Sequence, residues 1–526
     1  MTLVSCTVRL LRVAGRGADV RGRARRGSDV IAGHRASHVA EAACTHTPEP
    51  PRALLSMTAL KMAPVQTSAQ FWHPEGTDAA AAPQSFPVEG VDPHLAFYRP
   101  EVLDTIAREI DAIGGELRAL SLDIHQHPEL KFEETHAHDV LTAFMGARGW
   151  AVERHYFLDT AWAATFVHGA GGRVLGVNSE MDALPGIGHA CGHNLIAIAG
   201  VAVACGVKAA MLKHDIPGKV VLLGTPAEEG GAGKAILLEK GAYREMDACL
   251  MCHPSPGPKH GASLSSCLAL IRLDVAYEGH TAHAAMRPWE AQNALDAAVS
   301  AYTNISYLRQ QIKPTHRVHG VFKGEDWAAN VIPDNAQMLW YIRAPTLAEL
   351  QEVVPRVKAC FEASALATGC KVAISTETHP LFDLRQNTAL GKCEAFAEVF
   401  RSKFGPIDRV FGIDGASTDF GNVTYALPSL HPGFSIPTLP NGGNHTRQFA
   451  EAAATPEAHA AALSVSKSLA LVGLRVLDDA RFAREVRHRA SCAVGSSLLT
   501  CLLGRWLRRC AGQGRVREGQ EGEGGG

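Results

Sequence analysis

The chain has almost no net charge. Its 526 residues carry 51 Lys and Arg against 53 Asp and Glu, a formal balance of −2. No overall field therefore draws it to nucleic acid or to an anionic membrane. It also lacks a disulfide pattern. Thirteen cysteines is an odd count at scattered spacings, which argues for reduced thiols in an intracellular compartment. No apolar run reaches the roughly 20 residues that a bilayer-spanning helix needs, and no internal repeat is present. What remains, 46% hydrophobic and 20% charged residues, is the composition of a globular enzyme too long for one ordinary domain.

The two ends differ from the middle. Residues 1–56 hold nine arginines and four acids, and an Ala/Pro/Gly linker follows over 74–92. Arg-rich, acid-poor sequence at an N-terminus has the character of a mitochondrial transit signal. The plain alternative is a disordered extension of a cytoplasmic protein, or upstream sequence ahead of a start at Met57. Residues 477–526 are again Arg- and Gly-rich and read as a low-complexity tail.

Between them the pattern alternates. Helical apolar spacing runs over 102–124, with a stop at Pro128 and a new helix entry at Glu134-Thr135. Strands are expected at 163–167, 174–177, 219–224 and 248–252, with helices at 195–212 and 232–240 between them. Such alternation predicts an α/β fold: a mostly parallel sheet with helices on both faces. From about residue 265 the order becomes βαββαβ, with a helix over 288–309 opened by Pro288. That is a ferredoxin-like unit inserted as a second domain. The expected organisation is an extension over 1–95, a catalytic domain in two parts, 96–264 and 383–476, an inserted domain over 265–382, and the tail.

Three polar clusters follow apolar strands, where α/β proteins place chemistry. The first is Met181-Asp182-Ala183-Leu184-Pro185, running on to Cys191-Gly192-His193. The others are Glu228-Glu229 and Cys252-His253. Cys191, His193, Glu229 and His253 offer thiolate, imidazole and carboxylate, the donor types that zinc and similar ions accept. His445 returns from beyond the insertion. Five donors suit two ions better than one tetrahedral ion, and two ions can jointly hold and acidify a water and polarise a carbonyl. Adjacent glutamates diverge, so Glu229 can ligate while Glu228 takes the proton of the attacking water. Asp182 is placed to orient His193, as metal-bound imidazoles require. Two other readings compete. Cys191 could be a thiol nucleophile paired with His193, or the chain could be a non-catalytic binding protein that keeps the fold. Cys249-Leu250-Met251-Cys252-His253 fits the haem-attachment spacing, but strand alternation would send its two thiols to opposite sides.

Together with Tyr277-Glu278-Gly279-His280-Thr281-Ala282-His283-Ala284, Asn330-Val331-Ile332-Pro333-Asp334 and His445, these motifs resemble the amidohydrolase branch of the aminoacylase and carboxypeptidase metallopeptidases. The likeness covers about residues 100–475. It implies a catalytic domain interrupted by a dimerisation or lid domain, two divalent metal ions (zinc or manganese), and a homodimer formed through the lid. It implies metal-binding roles for Cys191, His193, Glu229, His253 and His445, and a general base at Glu228. His283 would reach a substrate carbonyl, often across the dimer. Asn330 and Arg343 would lie near the substrate carboxylate. The implied substrate is a dipeptide or N-acyl amino acid, with a preference for a basic C-terminal residue. There are two departures. Glu180-Met181-Asp182 stands where most relatives have His-x-Asp, which moves one usual ligand to the Cys-Gly-His turn, and Asn194 replaces the commoner Asp after His193.

Overall fold

A computed structural model describes residues 98–493, less 377–378 and parts of 392–414. The segments 1–97 and 494–526, with the expected extension and most of the expected tail, lie outside the described residues.

The first two helices are α1 (Pro100–Ala112) and α2 (Gly114–Gln126). Sequence spacing reads them as one. They are separated at Ile113, before two adjacent glycines, which are poor helix formers. After α3 (Thr135–Ala147) comes a six-stranded sheet built from β1 (Ala151–Arg154), β2 (Trp162–His168), β3 (Arg173–Glu180), β4 (Gly218–Thr225) and β5 (Ala248–Leu250). A late strand, Ser429–Leu430, completes the order β1-β2-β4-β3-β5 on the far side of β5. β3, β4, β5 and the late strand are parallel; β1 and β2 form an antiparallel edge.

Helix α4 (His193–His214) crosses one face of this sheet and packs against α1, α2 and the long helix Pro456–Asp478. It is apolar nearly all round, as a helix buried on every side must be. Gly200 is required where it meets β3, because a Cβ there would stand 2.2 Å from Ser179 Oγ. Helix α5 (Gly233–Lys240) and the helix Phe420–Ala426 pack with each other on the other face. The sequence reading found no run able to cross a bilayer. By length and composition, α4 and Pro456–Asp478 both qualify. Their apolar residues serve the core instead: most of each helix is buried inside the protein. The folded chain also runs past residue 477. Helix Ala480–Ala493 follows, and its Phe482 and Val486 are buried.

A small sheet joins β6 (His253–Pro256) and β7 (Ala262–Ser263) to two late strands, Ile407–Asp408 and Gly433–Ile436. The inserted domain has its own core. Its strands β8 (Ala269–Glu278), β9 (Arg317–Lys323), β10 (Asn335–Ala344) and β11 (Lys371–Ser375) are antiparallel in the order β11-β8-β10-β9. With α6 (Ala294–Leu308) and α7 (Leu347–Thr368) against them, this is the ferredoxin-like βαββαβ unit. The helix expected over 288–309 begins later. Pro288–Glu290 forms one 3₁₀ turn, and α6 starts afresh where the Asn293 side chain accepts the Leu295 and Asp296 N–H groups.

Candidate metal centre and active-site cleft

The segments leaving the carboxyl ends of the parallel strands converge on one cleft. β3 ends at Glu180 and runs on to Asp182; β4 passes through Ala227, in the left-handed region at φ 60, to Glu228 and Glu229; β5 leads to His253. Gly192 sits at φ 81, and a Cβ there would meet Pro254 Cγ at 2.6 Å. Only glycine fits. This tight turn lets Cys191 and His193, the first residue of α4, reach the same point.

Each imidazole is aimed by its second nitrogen. His193 Nδ1 lies 3.1 Å from Asp182 Oδ1 and donates to it, so Nε2 faces the cleft floor. His253 Nδ1 donates to the Pro254 carbonyl at 2.8 Å, and its Nε2 lies 3.4 Å from Cys191 Sγ. Asp182 Oδ2 accepts the Glu229 backbone N–H at 2.9 Å, so one carboxylate aligns two donors. Donor atoms of Cys191, His193 and His253 lie within 4.8 Å of one another, and so do those of Cys191, Glu229 and His445, and of His193, Glu228 and Glu229. His193 Nε2 and Glu229 Oε1 are buried without a hydrogen bond, although His445 Nε2 approaches that oxygen to 3.2 Å. Buried polar atoms are seldom left so. Burial disfavours a charged His193, but Glu180 and Asp182 outweigh it and hold its pKa well above the ordinary imidazole range. Unpaired donors converging on a place that demands positive charge fit divalent cations.

The thiol-nucleophile reading fares worse. Burial, then the charge of Glu229, pushes the Cys191 thiol well above its usual range. Its sulfur touches both His253, 3.4 Å away, and His193, and the His193 nitrogens are held by Asp182 and Glu180. The haem spacing fails on geometry too: Cys249 and Cys252 belong to cores on opposite faces of the sheet.

Beneath the donors lies a buried charge cluster that sequence reasoning missed. Lys234, on α5, is wholly buried. Its Nζ lies 2.6 Å from Glu180 Oε1 and 2.6 Å from Asp419 Oδ1, and its backbone N–H donates to Asp419 Oδ2 at 2.8 Å. Burial would raise the Glu180 pKa, but Lys234 and then His193 outweigh it and bring it to about 2. Glu228 moves the other way. Burial, then the charges of Glu180, Glu229 and Asp419, push it well above the carboxylate range. Burial would also raise Glu229, but His445 and then His193 outweigh it and lower it, and adjacent glutamates with divergent affinities for a proton suit a ligand beside a general base. A lysine in an α5 pattern that reads as surface, and an aspartate before a short helix, gave little signal.

The cleft above has a volume of about 560 Å³ and is lined from both domains. Cys191, Glu228, Glu229, His253 and His445 face Arg343, with Arg272, His319 and Tyr341 beside it on the lid sheet. Of the sequence-derived site residues, His283 and Asn330 are not brought here. Both are exposed on lid loops, where the Ala284 N–H donates to the Asn330 carbonyl at 3.0 Å. The expectation that they stand at the substrate is not met within one chain.

Residues 176–462 match the model of peptidase family M20/M25/M40. The chain is 43% identical over 400 residues to the Xaa-Arg dipeptidase of Mus musculus, covering 73% of this chain and 91% of that one. Two solved structures share the fold. An aminobenzoyl-glutamate utilization protein from Klebsiella pneumoniae has a TM-score of 0.56 at 18% identity, over 71% of this chain and 99% of its own. A dinuclear metal binding peptidase of the M20 family from Bacillus subtilis has a TM-score of 0.54 at 20% identity, over 70% and 99%. With the strand-end cluster already in place, these likenesses settle the class: the chain belongs to peptidase family M20/M25/M40 and is a metal-dependent hydrolase of amide bonds.

Proposed function

We propose that the chain is a dinuclear-metal dipeptidase whose substrates end in a free carboxylate. The observation that carries this is Arg343. It is half-buried on the lid side of the cleft, donates to Ser417 Oγ at 2.9 Å, and pairs with no carboxylate among the described residues. A desolvated, unneutralised guanidinium facing a metal-type donor set is a receptor for a substrate carboxylate. The dipeptidase relative and the dinuclear solved neighbour point the same way, and by that likeness the C-terminal residue preferred is a basic one.

Cys191, His193, Glu229, His253 and His445 would hold two ions, zinc or manganese; when bound, these supply Lewis acidity to water and to the scissile carbonyl. Asp182 keeps His193 and Glu229 in register. Glu228 takes the proton of the attacking water and returns it to the leaving amine. Arg343 fixes the far end of the substrate, which places the carbonyl over the donor set.

The test uses paired dipeptides with free and amidated C-termini. Arg343→Ala should lower kcat/KM for the free acid by about 10²-fold, the cost of leaving a desolvated charge unpaired, and should leave the amide's much smaller rate unchanged. Equal losses on both would remove Arg343 from carboxylate recognition. Cys191→Ser should cut metal content sharply, since a hydroxyl is a poor ligand where a thiolate is used. Metal content equal to wild type would take Cys191 out of the ligand set.

We also infer a homodimer through the lid. β9 is a sheet edge, and Tyr302, Tyr307, Val321, Phe322 and Trp327 are exposed around it. A second copy is also what could bring His283 and Asn330 to the cleft that their own chain keeps them from. Co-expressing His283→Ala with Glu228→Gln, each inactive alone, should restore roughly a quarter of the activity, through mixed dimers with one complete site. No recovery would rule out sharing of His283.

A further inference from the structure

We infer that Asp123, His127 and His136 form a separate site for a zinc-class divalent ion, one that clamps the connection between α2 and α3. His127 Nδ1 lies 3.1 Å from Asp123 Oδ1, and His136 Nε2 lies 3.2 Å from Asp123 Oδ2. The two imidazole rings are 4.3 Å apart, and one ligand atom from each of the three residues lies within 4.8 Å of the others. Bonds of about 2.0–2.1 Å in a tetrahedral zinc site place neighbouring donors about 3.3 Å apart, so the two imidazole–carboxylate contacts are already near the required spacing. Two imidazoles and one carboxylate are ligands for zinc-type ions rather than for calcium or magnesium. His136 Nε2 supplies a second observation: on a side chain that is 35% exposed, this atom is itself shielded from solvent and, although 3.2 Å from Asp123 Oδ2, makes no aligned hydrogen bond. None of the three residues lines the catalytic cleft.

The position gives the site a purpose. His127 caps the end of α2 and His136 sits in the first turn of α3. The connection between them is bonded to both loops that carry the catalytic residues. The Glu129 carbonyl accepts the Ala183 N–H at 2.8 Å, just past Asp182. Glu134 Oε1 accepts the Ala227 N–H at 2.8 Å, and Lys131 Nζ donates to the Gly230 carbonyl at 3.2 Å, on either side of Glu228 and Glu229. An ion tying the ends of the connection together holds it against those loops. His127 Nδ1 also lies 2.8 Å from the Asp123 carbonyl oxygen. The ion replaces that hydrogen bond, and the imidazole proton moves from Nδ1 to Nε2.

The test is a calorimetric titration of Zn²⁺ into the full chain with its catalytic centre already loaded, its retained metal counted first. One further ion per chain should bind. His127→Gln and His136→Gln should each weaken that binding by at least about 10-fold, with the retained metal and the turnover without added zinc unchanged. Zinc should slow hydrogen exchange across residues 127–134 in the wild type and not in the variants. Absence of a further ion, equal affinity in both variants, or uptake without slowed exchange would each overturn the proposal; the first two would leave the trio as a pair of simple imidazole–carboxylate contacts.

Discussion

Glu228→Gln should keep its metal and bind substrate, yet lose turnover by about 10²–10⁴-fold, the range for removal of a general base. The amide has the size of the carboxylate and can still bond a water, but it cannot accept the proton. The structure separates this residue from its neighbour. Glu229 has its backbone tied to Asp182 and its carboxylate beside His445 and His193. Glu228 faces the cleft and makes no side-chain hydrogen bond among the described residues; His193 Nε2, at 4.0 Å, is a near neighbour. Replacing Glu229 should therefore lower metal content together with rate. Both variants need to be compared at saturating substrate with metal measured in each preparation. Near-normal turnover with Gln at 228, or metal loss at 228 and not at 229, would reverse or cancel the two roles.

Lys234→Met should be the most destabilising single change in the core of the site. Met keeps most of the length and removes the charge, which leaves Glu180 and Asp419 facing each other in a wholly buried space. Removing one partner of a buried ion pair costs about 3–5 kcal/mol, read here as a lower denaturation midpoint. Adding Asp419→Asn should recover part of the loss, because the amide oxygen can still accept the backbone N–H of position 234 at half the buried negative charge. A double variant no more stable than the single would show that packing, not charge, dominates. Acid reports on the same cluster. The Glu180 pKa in the folded chain, about 2, lies below its ordinary 4.5. Its share of stability is complete above about 4.5 and is lost as pH falls toward 2.

What the sequence revealed follows from how local each signal is. Strands β2 to β5 and the βαββαβ insertion read correctly because apolar period and β-branched composition are local, whereas the short strands Ala151–Arg154 and Ser429–Leu430 carry no such pattern and were not expected. The candidate donor clusters stood out because each follows an apolar strand, and because Cys191, His193 and His253 are rare types in rare company. The break at Ile113 and the late start of α6 at Ala294 depend on one or two residues, Gly114 and Asn293, set inside otherwise helical spacing. Lys234 and Asp419 escaped notice because each has meaning only beside the other, 185 positions away. The span of α4 was short by two residues at its start, since His193 reads as loop chemistry until the Gly192 turn is seen.

The insertion also sets a timetable. The lid strands are contiguous from Ala269 to Ser375 and can pair as soon as they are made. The sheet that the lid interrupts cannot be finished then: Ser429–Leu430 pairs with β5, and Gly433–Ile436 with β6. About 180 residues separate β5 from that partner, and at about 5–20 residues per second a ribosome needs roughly 9–36 seconds to deliver it. Throughout that interval the apolar edge formed by Ala248, Cys249 and Leu250 waits open beside the unfinished metal site. An unpaired strand edge can pair with another chain, and slower translation past the lid would lengthen the interval.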